Sequence, residues 1–133
     1  MTVLLVDAAN VVGARPDGWW RDRAGATTRL LRLLAPLAGR AVPDVGLVTE
    51  VVVVVEGAAA GVPQPDGVRL VRAPGSGDDA LAATAAGLAA AGRRVLVVTA
   101  DRGLRARLPA GTGVIGPGRL LAALDRMAGN GPG

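Results

Sequence analysis

Val3-Leu4-Leu5-Val6-Asp7 opens the chain with four apolar residues running into a carboxylate, and Asn10 follows one short step later. An apolar run of this length, bounded by polar residues, reads as a strand covered on both faces. The same ending recurs: Val51 to Val55 runs into Glu56, and Val95-Leu96-Val97-Val98-Thr99-Ala100 runs into Asp101. Asp78 and Asp79 stand where a helix is expected to begin. In a parallel sheet these acids converge on one edge, where they repel one another unless a cation or a proton intervenes. The pattern therefore predicts an acidic, cation-dependent site at the carboxyl edge of a sheet.

Working outward, residues 3–6 form the first expected strand, and the stretch from Asn10 to Asp22, with Gly13, Pro16 and Gly18, reads as a long loop. From about Ala24 to Ala38, Leu30, Leu33, Leu34 and Leu37 recur at helical spacing with Arg29 and Arg32 opposite. Residues 50–56 form a second strand and Val68 to Val71 a short third, joined by a loop-like connection. An Ala-rich helix is expected from about Asp78 to Ala91, a clear strand from Arg94 to Thr99 and a short helix around Arg102 to Leu108. Val114-Ile115 and a helix marked by Leu120, Leu121, Leu124 and Met127 complete the pattern. Strands alternating with helices predict an α/β fold of three layers with a mainly parallel sheet. Residues 1–128 read as one domain and 129–133 as a flexible tail.

Composition narrows the chemistry. Of 133 residues half are hydrophobic, yet the aromatics are only Trp19 and Trp20, so the core must be built from Val, Leu and Ala. There is no Cys, His, Tyr or Lys. Disulfides, thiolate or imidazole ligands, His-based triads and Lys-dependent phosphate loops are excluded. An all-oxygen donor set selects hard cations, Mg²⁺ or Mn²⁺. All fifteen basic residues are Arg and the net charge is +4. That balance suits a polyanionic substrate steered toward a metal, although Arg without Lys is also what a GC-rich genome produces. The N-terminus lacks a basic leader region, and no stretch reaches the roughly 18 apolar residues a membrane span needs. The expectation is a soluble, cytoplasmic protein with no membrane partner.

Asp7 carries the strongest functional signal, because Gly13 and Pro16 follow too soon for a regular helix to explain it as a cap. Asn10 either positions a ligand water or the Asp7 carboxylate, or makes an Asx-turn. Neighbouring helical residues point about 100° apart, so one of Asp78 and Asp79 faces the site. Asp78 is the first choice and Asp79 the second. Asp101 follows the best strand and also has a capping reading, and Glu56 is a further candidate ligand. Such carboxylates could hold two ions roughly 3.5–4 Å apart, which activate water and stabilise the leaving oxygen in phosphoryl displacement. Arg15, Arg21 and Arg23 in the first loop, with Arg102 and Arg105 beside Asp101, are candidate phosphate contacts. Trp19 and Trp20 either stack on an unpaired base or, the reading favoured on sequence grounds, pack the loop onto the core.

Val6-Asp7-Ala8-Ala9-Asn10, Gly77-Asp78-Asp79-Ala80-Leu81 and Val98-Thr99-Ala100-Asp101-Arg102 together resemble the PIN-like nuclease domains, and within them the NYN branch with its small bacterial ribonucleases. The resemblance spans nearly the whole chain. It implies a PIN-like α/β/α fold and Mg²⁺- or Mn²⁺-dependent endonucleolytic cleavage of single-stranded RNA, with ribosome association left open. It assigns Asp7, Asp78 and Asp101 to metal binding and catalysis, Asn10 to a polar role beside the first Asp, and Glu56 to the acid that ends the second strand in some branches. Arg105 stands where relatives commonly carry a further acid. Three other functions compete: a non-catalytic RNA-binding domain, a nucleotide pyrophosphohydrolase, whose Glu-rich helical motif is absent, and a phosphatase using Asp7, disfavoured because Ala9 replaces the usual second Asp.

Overall fold

The computed structural model describes residues 1–129. Its strands are β1 (Thr2–Asp7), β2 (Ala41–Val42), β3 (Gly46–Val55), β4 (Val68–Arg72), β5 (Val95–Val98) and β6 (Gly113–Ile115). Its helices are α1 (Ala8–Gly13), α2 (Arg23–Leu34), α3 (Gly77–Ala90), α4 (Arg102–Ala106) and α5 (Pro117–Gly129). Five strands lie parallel in the order β4-β3-β1-β5-β6, and β2 adds a short antiparallel pairing at the start of β3.

Alternation along the strands builds the layers. Leu4 and Val6 of β1, with Val51, Val53 and Val55 of β3, face Leu30, Leu31 and Leu34 of α2 and Leu120 and Leu124 of α5. Val3, Leu5, Val52, Val54, Val95 and Val97 face the other way, onto Leu81, Ala85 and Leu88 of α3 and Leu104 of α4. The result is the expected α/β/α arrangement with a mainly parallel sheet. The β3–β4 connection contains no α-helix, only a 3-10 turn at Gly57–Ala59, as its loop-like sequence indicated.

Four local readings need correction. The expected loop from Asn10 to Asp22 begins inside α1 and also contains a 3-10 turn at Trp19–Arg21; Gly13 and Pro16 end the first helix but leave space for six residues. In α2, Leu31 is buried whereas Leu33 is 45% exposed. That helix stops at Leu34 and tightens into a 3-10 turn over Ala35–Leu37, since Pro36 cannot donate a hydrogen bond to continue it. The second expected strand starts at Gly46 rather than at residue 50, because its first half lies outside the doubly covered centre and carries polar Thr49 and Glu50. Gly129 closes α5; the rest of the expected tail lies outside the described residues. Among the described residues no helix is long and apolar enough to cross a membrane.

The order places β1 between β3, reached through α1 and α2, and β5, reached after the chain crosses back through α3. A crevice forms beyond the carboxyl ends of strands at such a reversal. The turn into β4 is held by Gly67, whose φ is +88° and whose missing Cβ would lie 2.6 Å from the Ala35 carbonyl oxygen. Gly67→Ala is expected to cost about 1–3 kcal/mol, read as a lower urea midpoint at unchanged slope.

Candidate acidic site at the strand reversal

Asp7 ends β1 and is 4% exposed. One carboxylate oxygen accepts the Asn10 backbone N–H at 3.4 Å, so Asp7 caps α1. The other accepts the Thr99 hydroxyl at 3.1 Å. The capping role set aside on sequence grounds is therefore present, in a helix too short to show any periodicity. Thr99 in turn accepts the Asp101 backbone N–H at 3.1 Å. The Asn10 side-chain oxygen accepts the Ala100 N–H at 2.9 Å. Asn10 thus ties the β5 end to α1 and makes no Asx-turn. Asp101 caps α4 by accepting the Leu104 N–H at 2.9 Å.

Two further acids complete the edge. Glu56, one residue past β3, accepts the Gly77 N–H at the start of α3. Ser76 caps the same helix through the Asp78 N–H at 3.3 Å. Asp78 faces Asp101, whereas Asp79 points outward, 80% exposed, and pairs with Arg107 at 2.8 Å. The structure thus gathers Asp7, Glu56, Asp78 and Asp101 and leaves Asp79 outside the group, as the 100° step between helical neighbours requires.

The charges of these groups are coupled. Burial pushes the Asp7 carboxyl from its ordinary 3.8 up to about 6; the Asn10 and Thr99 hydrogen bonds oppose the shift, and the charges of Glu56 and Asp78 add to it. Asp78 is raised by desolvation, then by the charge of Asp101, its hydrogen bond with Asp101 and the charge of Glu56, with Arg107 opposing. Asp101 is lowered, chiefly by the Leu104 N–H. Asp78 is thus displaced toward its neutral form and Asp101 toward its charged one. Among the described residues no three acids converge closely enough to enclose a metal ion. The donor chemistry nevertheless fits a hard cation that keeps much of its own water, as Mg²⁺ does.

The candidate phosphate contacts divide. Arg15 pairs with Asp125 of α5 at 3.1 Å and is occupied there. The Arg21 guanidinium lies 5.9 Å from the Trp20 ring centre and that of Arg23 5.4 Å from the Trp19 ring centre. Trp19 is half-buried against the core, and Trp20 is 57% exposed. Arg102 and Arg105 are exposed on α4, without an ion-pair partner among the described residues. Sequence reasoning missed Thr99 as the bridge between Asp7 and Asp101, and it missed Arg107. The hydroxyl two residues before Asp101 was the available signal for the first. Nothing short of the α3–α4 packing reveals the second.

No family model matches the chain, and no curated protein matches it. Solved structures of Rae1 (YacP) from Bacillus subtilis are similar in fold. One superposes with a TM-score of 0.73 at 18% identity, covering 96% of this chain and 76% of that one. The W164L mutant of the same protein superposes with a TM-score of 0.71 at 19% identity, covering 96% and 77%. Together with the three layers and the parallel sheet, this similarity shows that the chain has the PIN-like α/β/α fold of that protein.

Proposed function

We propose that the protein is a Mg²⁺- or Mn²⁺-dependent endoribonuclease acting on single-stranded RNA. The observation that carries this reading is the gathering of Asp7, Glu56, Asp78 and Asp101 at the strand reversal of a nuclease-like fold, two of them held above the ordinary carboxylate range. Such an edge has an unmet demand for positive charge. Asp7, Asp78 and Asp101 would hold the ion largely through its own bound waters, and Glu56 would hold the start of α3 in place. When bound, the cation supplies an activated water and charge stabilisation for the leaving oxygen.

The protein's own groups set the stage for that chemistry. Asp7 is aimed by Thr99 and Asn10, so its rotamer needs no rearrangement to receive a ligand. Asp78 is raised and Asp101 lowered where they face each other, and an arriving positive charge would favour the charged form of both. Arg102 and Arg105, unpaired among the described residues, offer guanidinium forks next to Asp101 for backbone phosphates. A second reading, an RNA-binding domain without catalysis, is favoured by one observation: no three acids enclose an ion among the described residues.

Cleavage of a labelled single-stranded RNA in Mn²⁺ separates the two readings. Asp7→Asn is expected to lower the rate at least about a hundredfold, ~2.7 kcal/mol of barrier, while Asp79→Ala leaves it at the wild-type level. Undiminished cleavage by Asp7→Asn overturns the assignment of Asp7. RNA binding without cleavage by the wild-type protein establishes the second reading.

The raised Asp7 carboxyl gives a stability test with a definite sign. Its folded-state value exceeds the unfolded one, so its contribution to stability is fully present below pH 3.8 and is lost as the pH rises through about 6. In metal-free buffer, Asp7→Asn is expected to be more stable than the parent at pH 8, by up to ~3 kcal/mol, and to show no such gain at pH 3.5. Mn²⁺ is expected to narrow the gap at pH 8 by stabilising the parent alone. Equal gains at both pH values in urea melts would contradict the buried-charge account.

A further inference from the structure

A cavity of about 290 Å³ opens beside the acidic edge, lined by Ala9, Trp19, Arg23, Thr27, Glu56 and Gly75 among others. We infer that it is a subsite for one unpaired nucleobase, the base next to the phosphate that meets Asp7. The identity of the polymer rests on the ribonuclease reading above; the pocket's chemistry is argued from its own walls.

Those walls select a flat, uncharged group that carries hydrogen-bond donors. The Arg23 guanidinium lies over the Trp19 ring at 5.4 Å, and Trp20, outside the cavity, meets Trp19 edge-on at 6.1 Å. Guanidinium planes and indoles are the surfaces on which unpaired bases stack. Glu56 in the same lining is an acceptor that an aliphatic chain cannot use and a base N–H can. It binds the Gly77 N–H through one oxygen, so the carboxylate is held in place to accept a further N–H from an entering base. Thr27 adds a hydroxyl, and Ala8, Ala9, Gly57, Ala59 and Gly75 leave the space open. The volume is at the lower limit of ligand pockets, enough for one ring system and too little for a stacked dinucleotide.

Position supplies the link to the acidic edge. Ala9 lies two residues after Asp7 and Gly75 three before Asp78, so the cavity mouth borders the carboxylates. A base seated there brings its own phosphate to that border. Glu56, sequence-predicted as a metal ligand, then reads the base edge. It favours adenine, cytosine and guanine, which present an amino group, over uracil, whose single edge N–H lies between two carbonyls.

The test uses an accident of composition. With no Tyr or Phe in the chain, Trp20→Leu leaves Trp19 as its only aromatic fluorophore. In EDTA, where no cleavage occurs, AMP, CMP and GMP are expected to quench Trp19 saturably. UMP is expected to bind about tenfold more weakly, and ribose 5-phosphate to quench not at all. Gly75→Leu should abolish the quenching without lowering the melting temperature, since a Cβ there meets nothing within 4 Å. Glu56→Gln, which can keep the Gly77 bond, should erase the discrimination against UMP.

Absence of saturable quenching by all four nucleotides overturns the proposal, as does quenching by ribose 5-phosphate or indifference to Gly75→Leu. Discrimination against UMP that survives Glu56→Gln overturns the role given to Glu56. The readout needs no catalysis, so a protein that binds bases but cuts no RNA keeps the subsite and loses the nuclease. One that cuts RNA without base quenching does the reverse.

Discussion

The Asp7 carboxylate, accepting the Thr99 hydroxyl across the reversal between β1 and β5, is the interaction on which the acidic edge depends. It is a buried charge held by neutral donors, which desolvation penalises and a positive charge would relieve. Thr99 passes the restraint to Asp101 through that residue's N–H, and Asn10 passes it to Ala100. Two strand ends, two short helices and two carboxylates are thereby located relative to one another by three side chains. Asp78 joins by facing Asp101 from α3. No aromatic packing takes part in this frame; it is built from small polar contacts in a core of Val, Leu and Ala.

Much of the architecture was legible because doubly covered strands leave an unmistakable trace. Val51 to Val55 and Val95 to Val98 are apolar throughout, since both their faces meet helices. Their acidic endings are visible for the same reason: the carboxyl edge is where the cover stops. Asp7, Asp101 and Glu56 were therefore readable from chain position alone, and the choice of Asp78 over Asp79 followed from helical geometry. What could not be read lay in elements shorter than the period that reveals them. The six residues of α1 show less than two turns, so Asp7 looked like a carboxylate followed by loop. The start of β3 is partly exposed and mixes polar with apolar residues. Leu33 satisfies a helical spacing, but the stripe that is buried runs through Leu31.

The Arg residues show a different limit of sequence reading. Fifteen look alike in a string, yet their partners divide their roles. Arg15 is paired with an acid of α5, Arg107 with Asp79, and Arg23 is laid against an indole. Each partner comes from a different element of the chain or from the turn just before, so composition records only the total charge. The two tryptophans likewise divide: Trp19 packs toward the core, as sequence reasoning favoured, and still presents a wall to a cavity, while Trp20 lies outside.

Gly77 has a consequence of its own. A Cβ there would lie 2.9 Å from a Glu56 carboxylate oxygen, in a helix turn where alanine would ordinarily be preferred. The smallest possible enlargement at this position pushes the strand-end acid away from the helix amide that holds it. Asp78 shares that helix turn and is raised in part by the charge of Glu56, so displacing Glu56 alters the field Asp78 feels. The electrostatic pattern of the edge is therefore vulnerable to a neutral methyl group, and its design constraints extend to a residue that carries no side chain at all.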